Sequence, residues 1–338
     1  MRALLALILC VSLGDAQSDR RAASSPETLA VALRERGEYS TAEQLLRATL
    51  AGVAVEAEER AIVLNLLGDL MREEGKGAQS RQFFEDALRI PGVSWKRLAE
   101  SHIGLADLDR DNRLWDDSVV EWNRVARMAL DHHAPTLEAV AWRGLGATWL
   151  EQGNTARAEP LLRRALAAFE SDPGSANQAA STRSYMAQLY LDEDKPALAE
   201  DALARALANE ERTLGCMHPQ VALLLEMMGD AAALRNHAQS ARGYYGRALR
   251  IMAEKFGENS MVAGAVLANW AMAEQRAGDA ARAAEEYQRA LAILRTAGRD
   301  AHRLRITVME RYAHVLESMH RAREAHALLA EVKSFREE

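Results

Sequence analysis

Trp142-Arg143-Gly144-Leu145-Gly146-Ala147-Thr148-Trp149, followed by Gly153, Ala158, Leu162, Ala165 and Leu166, decides how the whole chain is read. Large side chains stand at i, i+3 and i+7 with Gly146 at i+4, a spacing that puts them on one face of an α-helix. Beyond Gly153, small, large and small residues at Ala158, Leu162 and Ala165 describe a second helix in the same way. The stretch therefore predicts two helices folded back on each other about a glycine turn.

The same frame slides along the chain. The small residue of the first helix recurs as Ala30, Gly68, Ala106, Gly146, Ala187, Gly229, Ala271 and Ala313. The small residue opening the second helix recurs as Ala42, Ser80, Ser118, Ala158, Ala199, Ala241, Ala283 and Ala325. Four places later come Leu46, Phe84, Trp122, Leu162, Leu203, Tyr245, Tyr287 and Leu329. Immediately before the first column stand Leu29, Leu67, Leu105, Leu145, Met186, Met228, Trp270 and Tyr312. The spacing widens from 38 residues early in the chain to 42 over the last three steps.

Helices approach closely only where one presents Gly, Ala or Ser at the crossing, and the large neighbours then fill the space between hairpins. Each turn needs a residue that tolerates left-handed backbone, and Gly37, Gly75, Gly153, Asp194, Asn236 and Gly278 suit it. Arg113 and His320 stand at the other two turns against that rule.

This pattern resembles the tetratricopeptide repeat, whose first helix carries W-x2-L-G-x2-Y and whose second carries A-x3-F; Trp142, Leu145, Gly146 and Trp149 match, with Trp in place of Tyr. The later repeats are similar to the kinesin-light-chain variety. Leu214-Gly215-Cys216-Met217-His218-Pro219 precedes the sixth repeat, and Phe256-Gly257 the seventh, where Ser260-Met261 replaces His-Pro. The resemblance implies an all-α, right-handed α-α superhelix of about eight hairpins, with the first helices lining a concave groove. The array is expected over residues 26–335, with repeats starting near 23, 61, 99, 139, 180, 222, 264 and 306.

The chain before the array reads as an export signal. Arg2 begins it, Ala3 to Gly14 are apolar, and Gly14-Asp15-Ala16 sets small residues before a cut after Ala16. Residues 1–16 are expected to be removed, with retention as an anchor the alternative, and 17–25 form a polar linker. The apolar run is shorter than the roughly 20 residues that span a bilayer, and no second one follows, so no stable membrane insertion is expected after cleavage. A periplasmic or secreted bacterial protein is the expected setting. The mature chain then keeps one cysteine, Cys216, which closes no intrachain disulfide.

Net charge is −7 with acids and bases interspersed, and no basic stripe is present, which argues against nucleic acid as a partner. No phosphate loop is found, the nine histidines are scattered, and Cys216 has no His or Cys beside it. Each histidine reads as a solvated surface or linker residue. No enzyme, cofactor or metal is expected. The resemblance instead puts ligand-facing residues on each first helix, one place after the small residue and a turn beyond. These are Arg34, Asp69, Arg72, Asp107 and Arg110 in the first repeats, beside an acidic row of Glu35, Glu73, Asp111, Glu151 and Asp192. Later repeats carry Leu150, Leu191, Ala233, Leu234, Ala268 and Met272 there. A groove charged in its first half and apolar in its second is the expectation. The function implied is a scaffold binding a peptide or protein, with self-association open. A regulatory module sensing a peptide or small molecule is the alternative, and a helical-repeat enzyme a remote one.

Overall fold

The computed structural model describes residues 26–35, 38–52, 56–296 and 301–337. The expected signal, the polar linker and the Gly37 turn lie outside these residues. Sixteen α-helices are described, paired as eight hairpins, with one short 3-10 helix at Pro173–Ser175, and no strand occurs among the described residues. The first three hairpins are α1 (Pro26–Glu35) with α2 (Tyr39–Leu50), α3 (Ala57–Glu73) with α4 (Gly77–Leu88), and α5 (Trp95–Asp111) with α6 (Trp115–Asp131). Next come α7 (Pro135–Glu151) with α8 (Thr155–Glu170), and α9 (Ala176–Asp192) with α10 (Pro196–Leu214). The last three are α11 (Pro219–Leu234) with α12 (Ala238–Phe256), α13 (Met261–Arg276) with α14 (Ala280–Thr296), and α15 (His302–Ser318) with α16 (Ala322–Glu337). The chain divides into two compact units, residues 1–134 and 135–338.

Both small columns are buried in all eight hairpins. A Cβ added at Gly68, Gly146 or Gly229 would fall 2.6, 2.7 or 2.5 Å from Phe84, Leu162 or Tyr245, each the large residue of the same hairpin's second helix. The two serines of the second column settle their hydroxyls locally: Ser80 Oγ donates to the Gly68 carbonyl and Ser118 Oγ to that of Ala106, both at 2.8 Å. Small size governs the column, and a hydroxyl fits because a carbonyl of the facing helix receives it. Among the large residues Trp270 is half-buried, and the two exposed ones lie in the outermost hairpins. Leu29 is 43% and Leu329 39% exposed, because among the described residues no hairpin is stacked beyond either.

The turns are more uniform than their residues. Gly75, Gly153 and Gly278 have φ of 72, 84 and 82°, and Asp194 and Asn236 join them at 56 and 58°. Arg113 and His320, which break the residue rule, adopt the same left-handed conformation at φ 60°. In each of the seven, the following N–H reaches back to a carbonyl five residues earlier, as in Asn154 to Trp149 (2.7 Å) and Leu114 to Asp109 (2.8 Å). That is a Schellman closure. The two longer linkers also coincide. Gly215 and Gly257 have φ of 88 and 97°; His218 Nδ1 then accepts from the Gln220 N–H, and Ser260 Oγ from the Ala263 N–H, both at 3.2 Å. Ser260 thus does the capping work of the histidine it replaces.

Within each unit the first helices of successive hairpins lie against one another, α3 on α5 and α11 on α13 for example, while the second helices stand further apart. Each unit therefore bends with its first helices inside, and that inner face carries the candidate site.

Candidate functional site

On the inner face of the first unit, the predicted arginines are engaged with acids. Arg34 Nη1 lies 3.6 Å from Asp69 Oδ2, and its Nε 3.7 Å from Glu73 Oε1, one hairpin on. Arg72 Nη1 repeats the step to Asp111 Oδ2 at 2.8 Å, and Arg110 pairs with Asp107 inside α5 at 2.9 Å. The rows form a ladder across hairpins. Burial pushes the Asp69 carboxyl up to about 6 against the pull of Arg34 and Arg72, with Asp107 and Glu73 adding to the rise. Burial also works against the Arg72 charge, but the bond with Asp111 and the fields of Asp107 and Asp69 outweigh it, leaving its pKa raised. The Glu35 side chain lies outside the described ones.

Of the histidines, His102 departs from the expected solvated state, while His132 is exposed in its linker as expected and makes a ring contact there. His102 is half-buried with Nδ1 2.7 Å from Glu121 Oε2, and the His132 ring stacks on Trp95 at 4.2 Å. Burial raises the Glu121 carboxyl, but its bond and charge contacts with His102 and its pairing with Arg124 outweigh this, and the net shift is downward.

On the inner face of the second unit, the predicted apolar row is largely packed inside the stack. Leu150 is only 4% exposed and joins Met186 and Leu189 of α9, while Ala233 and Ala268 are buried. Leu191 is half-buried against the core of α9, α10 and α11. Leu234 and Met272 are half-buried, and the Met272 sulfur receives the Arg311 guanidinium. These residues do not form a continuous open patch.

What opens there is a cleft of about 580 Å³ lined by Leu150, Glu151, Gly153, Ser184, Tyr185, Gln188, Asp192 and Met227. It is bordered by α7, α9 and α11. Of the predicted residues it takes Leu150, with Glu151 and Asp192 from the acidic row. Tyr185 and Met227 were missed, yet they share a signal: each stands two places before its small residue, Ala187 or Gly229. Gln188 follows Ala187 directly, the ligand-facing place, and its Nε2 donates to Asp192 Oδ1 at 2.8 Å. Further along the face, Asn269 Nδ2 donates to Glu226 Oε2 at 2.7 Å, and Arg276 lies 3.5 Å from Asp230. Burial raises the carboxyls of both Glu226 and Asp230.

A larger cleft, about 820 Å³, lies on the opposite side between α12 and α14, with Leu249, Leu267 and Ile293 in its lining and Arg250, Glu254 and Arg289 among its charged groups. It arises where the second helices splay apart, and Arg289 is already paired with Glu286 at 2.6 Å. The inner cleft is smaller, but it sets polar groups from α7 and α9 beside an apolar floor from three helices, the arrangement that orients a bound chain. Among the described residues, no group of three or more acids, histidines or cysteines is placed to hold a metal ion, and no helix is long and apolar enough to cross a membrane.

Comparison with known proteins gives this geometry a class. Two stretches, residues 103–175 and 23–52, match tetratricopeptide-repeat family models. The chain is a tetratricopeptide-repeat protein. No curated protein sequence matches it as a relative. Among solved structures it is similar in fold to BtubC (BKLC) from P. vanneervenii, at 20% identity and TM-score 0.53, covering 66% of this chain and 91% of that one. It is likewise similar to a kinesin light chain with nearly identical TPR-like repeats from Podosopora anserina, at 20% identity and TM-score 0.51, covering 60% and 96%. A Rap protein complexed with competence and sporulation factor aligns at 12% identity and TM-score 0.62, covering 87% and 79%.

Proposed function

We propose that this chain is an exported interaction module that binds a peptide, or an extended segment of a partner protein, on the inner face of its second unit. The observation that carries the reading is the cleft floored by Leu150, Tyr185 and Met227 on the first-helix side. Its size falls within the roughly 300–1,000 Å³ of small-ligand pockets. No catalytic step is assigned, since the polar groups of this face are tied to one another: Gln188 to Asp192, Asn269 to Glu226, Arg276 to Asp230. The test is selection of displayed random peptides on the whole chain, followed by competition with a Tyr185→Glu variant. The variant is expected to bind the selected peptides at least ~10-fold more weakly with an unchanged melting curve, a change of about 1.4 kcal/mol. Equal binding overturns the site.

Export rests on Arg2, the apolar run and Gly14-Asp15-Ala16. Mass spectrometry of the envelope fraction is expected to find a chain beginning at Gln17; a cytosolic chain retaining its first sixteen residues overturns this part.

The fold likeness to a Rap conjugation gene regulator in complex with the Phr* peptide supports a second reading, a regulatory module, and in such a module ligand binding would change the shape of the array. Small-angle scattering with and without a selected peptide separates the two, because a scaffold keeps its radius of gyration and a sensor does not.

A further inference from the structure

The inner cleft of the second unit has a chemistry that narrows its ligand. Its floor is apolar, from Leu150, Tyr185 and Met227, and its charged lining groups are the acids Glu151 and Asp192. Among the described residues no lysine or arginine lines it. Asp192 is exposed at the C-terminal end of α9, on the rim of the cleft, where the helix dipole adds negative potential. One of its oxygens accepts from Gln188, an alignment that holds the carboxylate in place and leaves its second oxygen for a donor. Lys195, the nearest base in sequence, is bound to Glu193 at 2.7 Å on the turn. Two further acids of this face, Glu226 and Asp230, lie on α11 beside Met227; burial raises both carboxyls, Asp230 adding to the rise at Glu226 and Arg276 opposing it at Asp230.

We propose that the cleft selects a cationic peptide segment in which a lysine or arginine stands next to an apolar residue. The apolar side chain covers Tyr185 and Met227, and the ammonium or guanidinium reaches the Asp192 carboxylate at the rim. An acidic segment would bring like charge to the Asp192 carboxylate, and a wholly apolar one would leave Asp192 to be desolvated without compensation. The inference rests on the proposed function of this face, because it names the ligand of the same cleft.

Fluorescence anisotropy with the whole chain tests it. Three dye-labelled peptides of identical length carry Leu-Lys-Leu, Leu-Gln-Leu or Leu-Glu-Leu at their centre, in otherwise neutral flanks. The Lys peptide is expected to bind at least ~10-fold more tightly than the Glu peptide, with the difference shrinking between 50 and 500 mM salt. In an Asp192→Asn variant the Lys-over-Glu preference should fall several-fold, while Tyr185→Ala weakens all three peptides together. A preference for the Glu peptide, or none, overturns the cationic ligand and leaves the peptide-binding reading standing. A Lys preference that Asp192→Asn leaves unchanged overturns its placement at this cleft. Failure of all three peptides, together with failure of the random-peptide selection, overturns the proposed function itself, and the ligand with it.

Discussion

Phe84 lies between two glycines from successive hairpins. A Cβ at Gly68 would stand 2.6 Å from its ring, and one at Gly104 would come closer still. Gly104→Ala should therefore force the ring or the helix to shift and cost about 1–3 kcal/mol, measured as a drop in the denaturant midpoint. Gly243 makes the control, since a Cβ there meets nothing within 4 Å. Gly243→Ala should raise stability by about 0.5–1 kcal/mol, because it removes only the entropy cost of a mid-helix glycine. Similar losses for both would mean that the ring packing does not set the requirement. The turn at Arg113 offers a second contrast. Its φ of 60° carries a Cβ through a conformation that costs roughly 1–2 kcal/mol, and glycine gives back about 0.5–1 kcal/mol through the unfolded chain. Arg113→Gly is expected to stabilise by up to about 1 kcal/mol in the same measurement, and a loss would show that the arginine side chain holds the turn.

Helices α3 and α5 carry a ladder whose charge state depends on pH. The Asp69 carboxyl, raised to about 6 from an ordinary value of 3.8, binds its proton more tightly in the folded chain than in the unfolded one. Between those values the folded state holds more protons, so this group's contribution falls as pH rises from about 4 to 6, the reverse of a salt-bridged carboxylate with a lowered pKa. With 35% of the side chain open to water, screening keeps the effect modest. An Asp69→Asn variant should match the wild type near pH 4, gain on it as pH climbs from about 4 to 6 and hold that gain above 6, read as the difference between the two melting temperatures; a difference that is flat or opposite in sign would contradict the ladder. That ladder shows where sequence reading succeeds and where it stops. The hairpins were legible because close crossings admit only Gly, Ala or Ser, so Ala158 and Gly146 announce their helices wherever they sit. The first-unit charges were legible as rows, but whether Arg34 faces a ligand or Asp69 depends on the stagger between hairpins. Leu150 occupies a ligand-facing place in the frame, yet Met186 and Leu189 from the next hairpin cover it. Tyr185 and Met227 were passed over because their places, two before the small residue, hold side chains of every kind in the other repeats.

The whole chain is built from neighbours, and this determines how damage should spread. Each hairpin buries its apolar sides only against the next, so stability in such an array is close to a sum of hairpin terms and nearest-neighbour interfaces. The cores follow that logic within each unit: Leu33, Leu46, Val63 and Leu67 form a cluster in the first, whereas Leu291, Leu294, Val308 and Leu316 form another in the second. A defect should therefore loosen the hairpins beside it and fade with distance along the chain. Hydrogen exchange of the Gly104→Ala protein supplies the test, since amide protection reports local opening segment by segment. Protection is expected to fall across α3 to α6, which surround the overpacked Phe84, and to stay at the wild-type level in α13 to α16. An equal loss in both regions would mean that opening is global, and the chain would then behave as one cooperative body in spite of its two units. The same contrast bears on the binding reading. A cleft bordered by α7, α9 and α11 needs its own hairpins intact but not α1 or α2, so a destabilised first hairpin should leave affinity for a selected peptide unchanged at temperatures where the second unit stays protected.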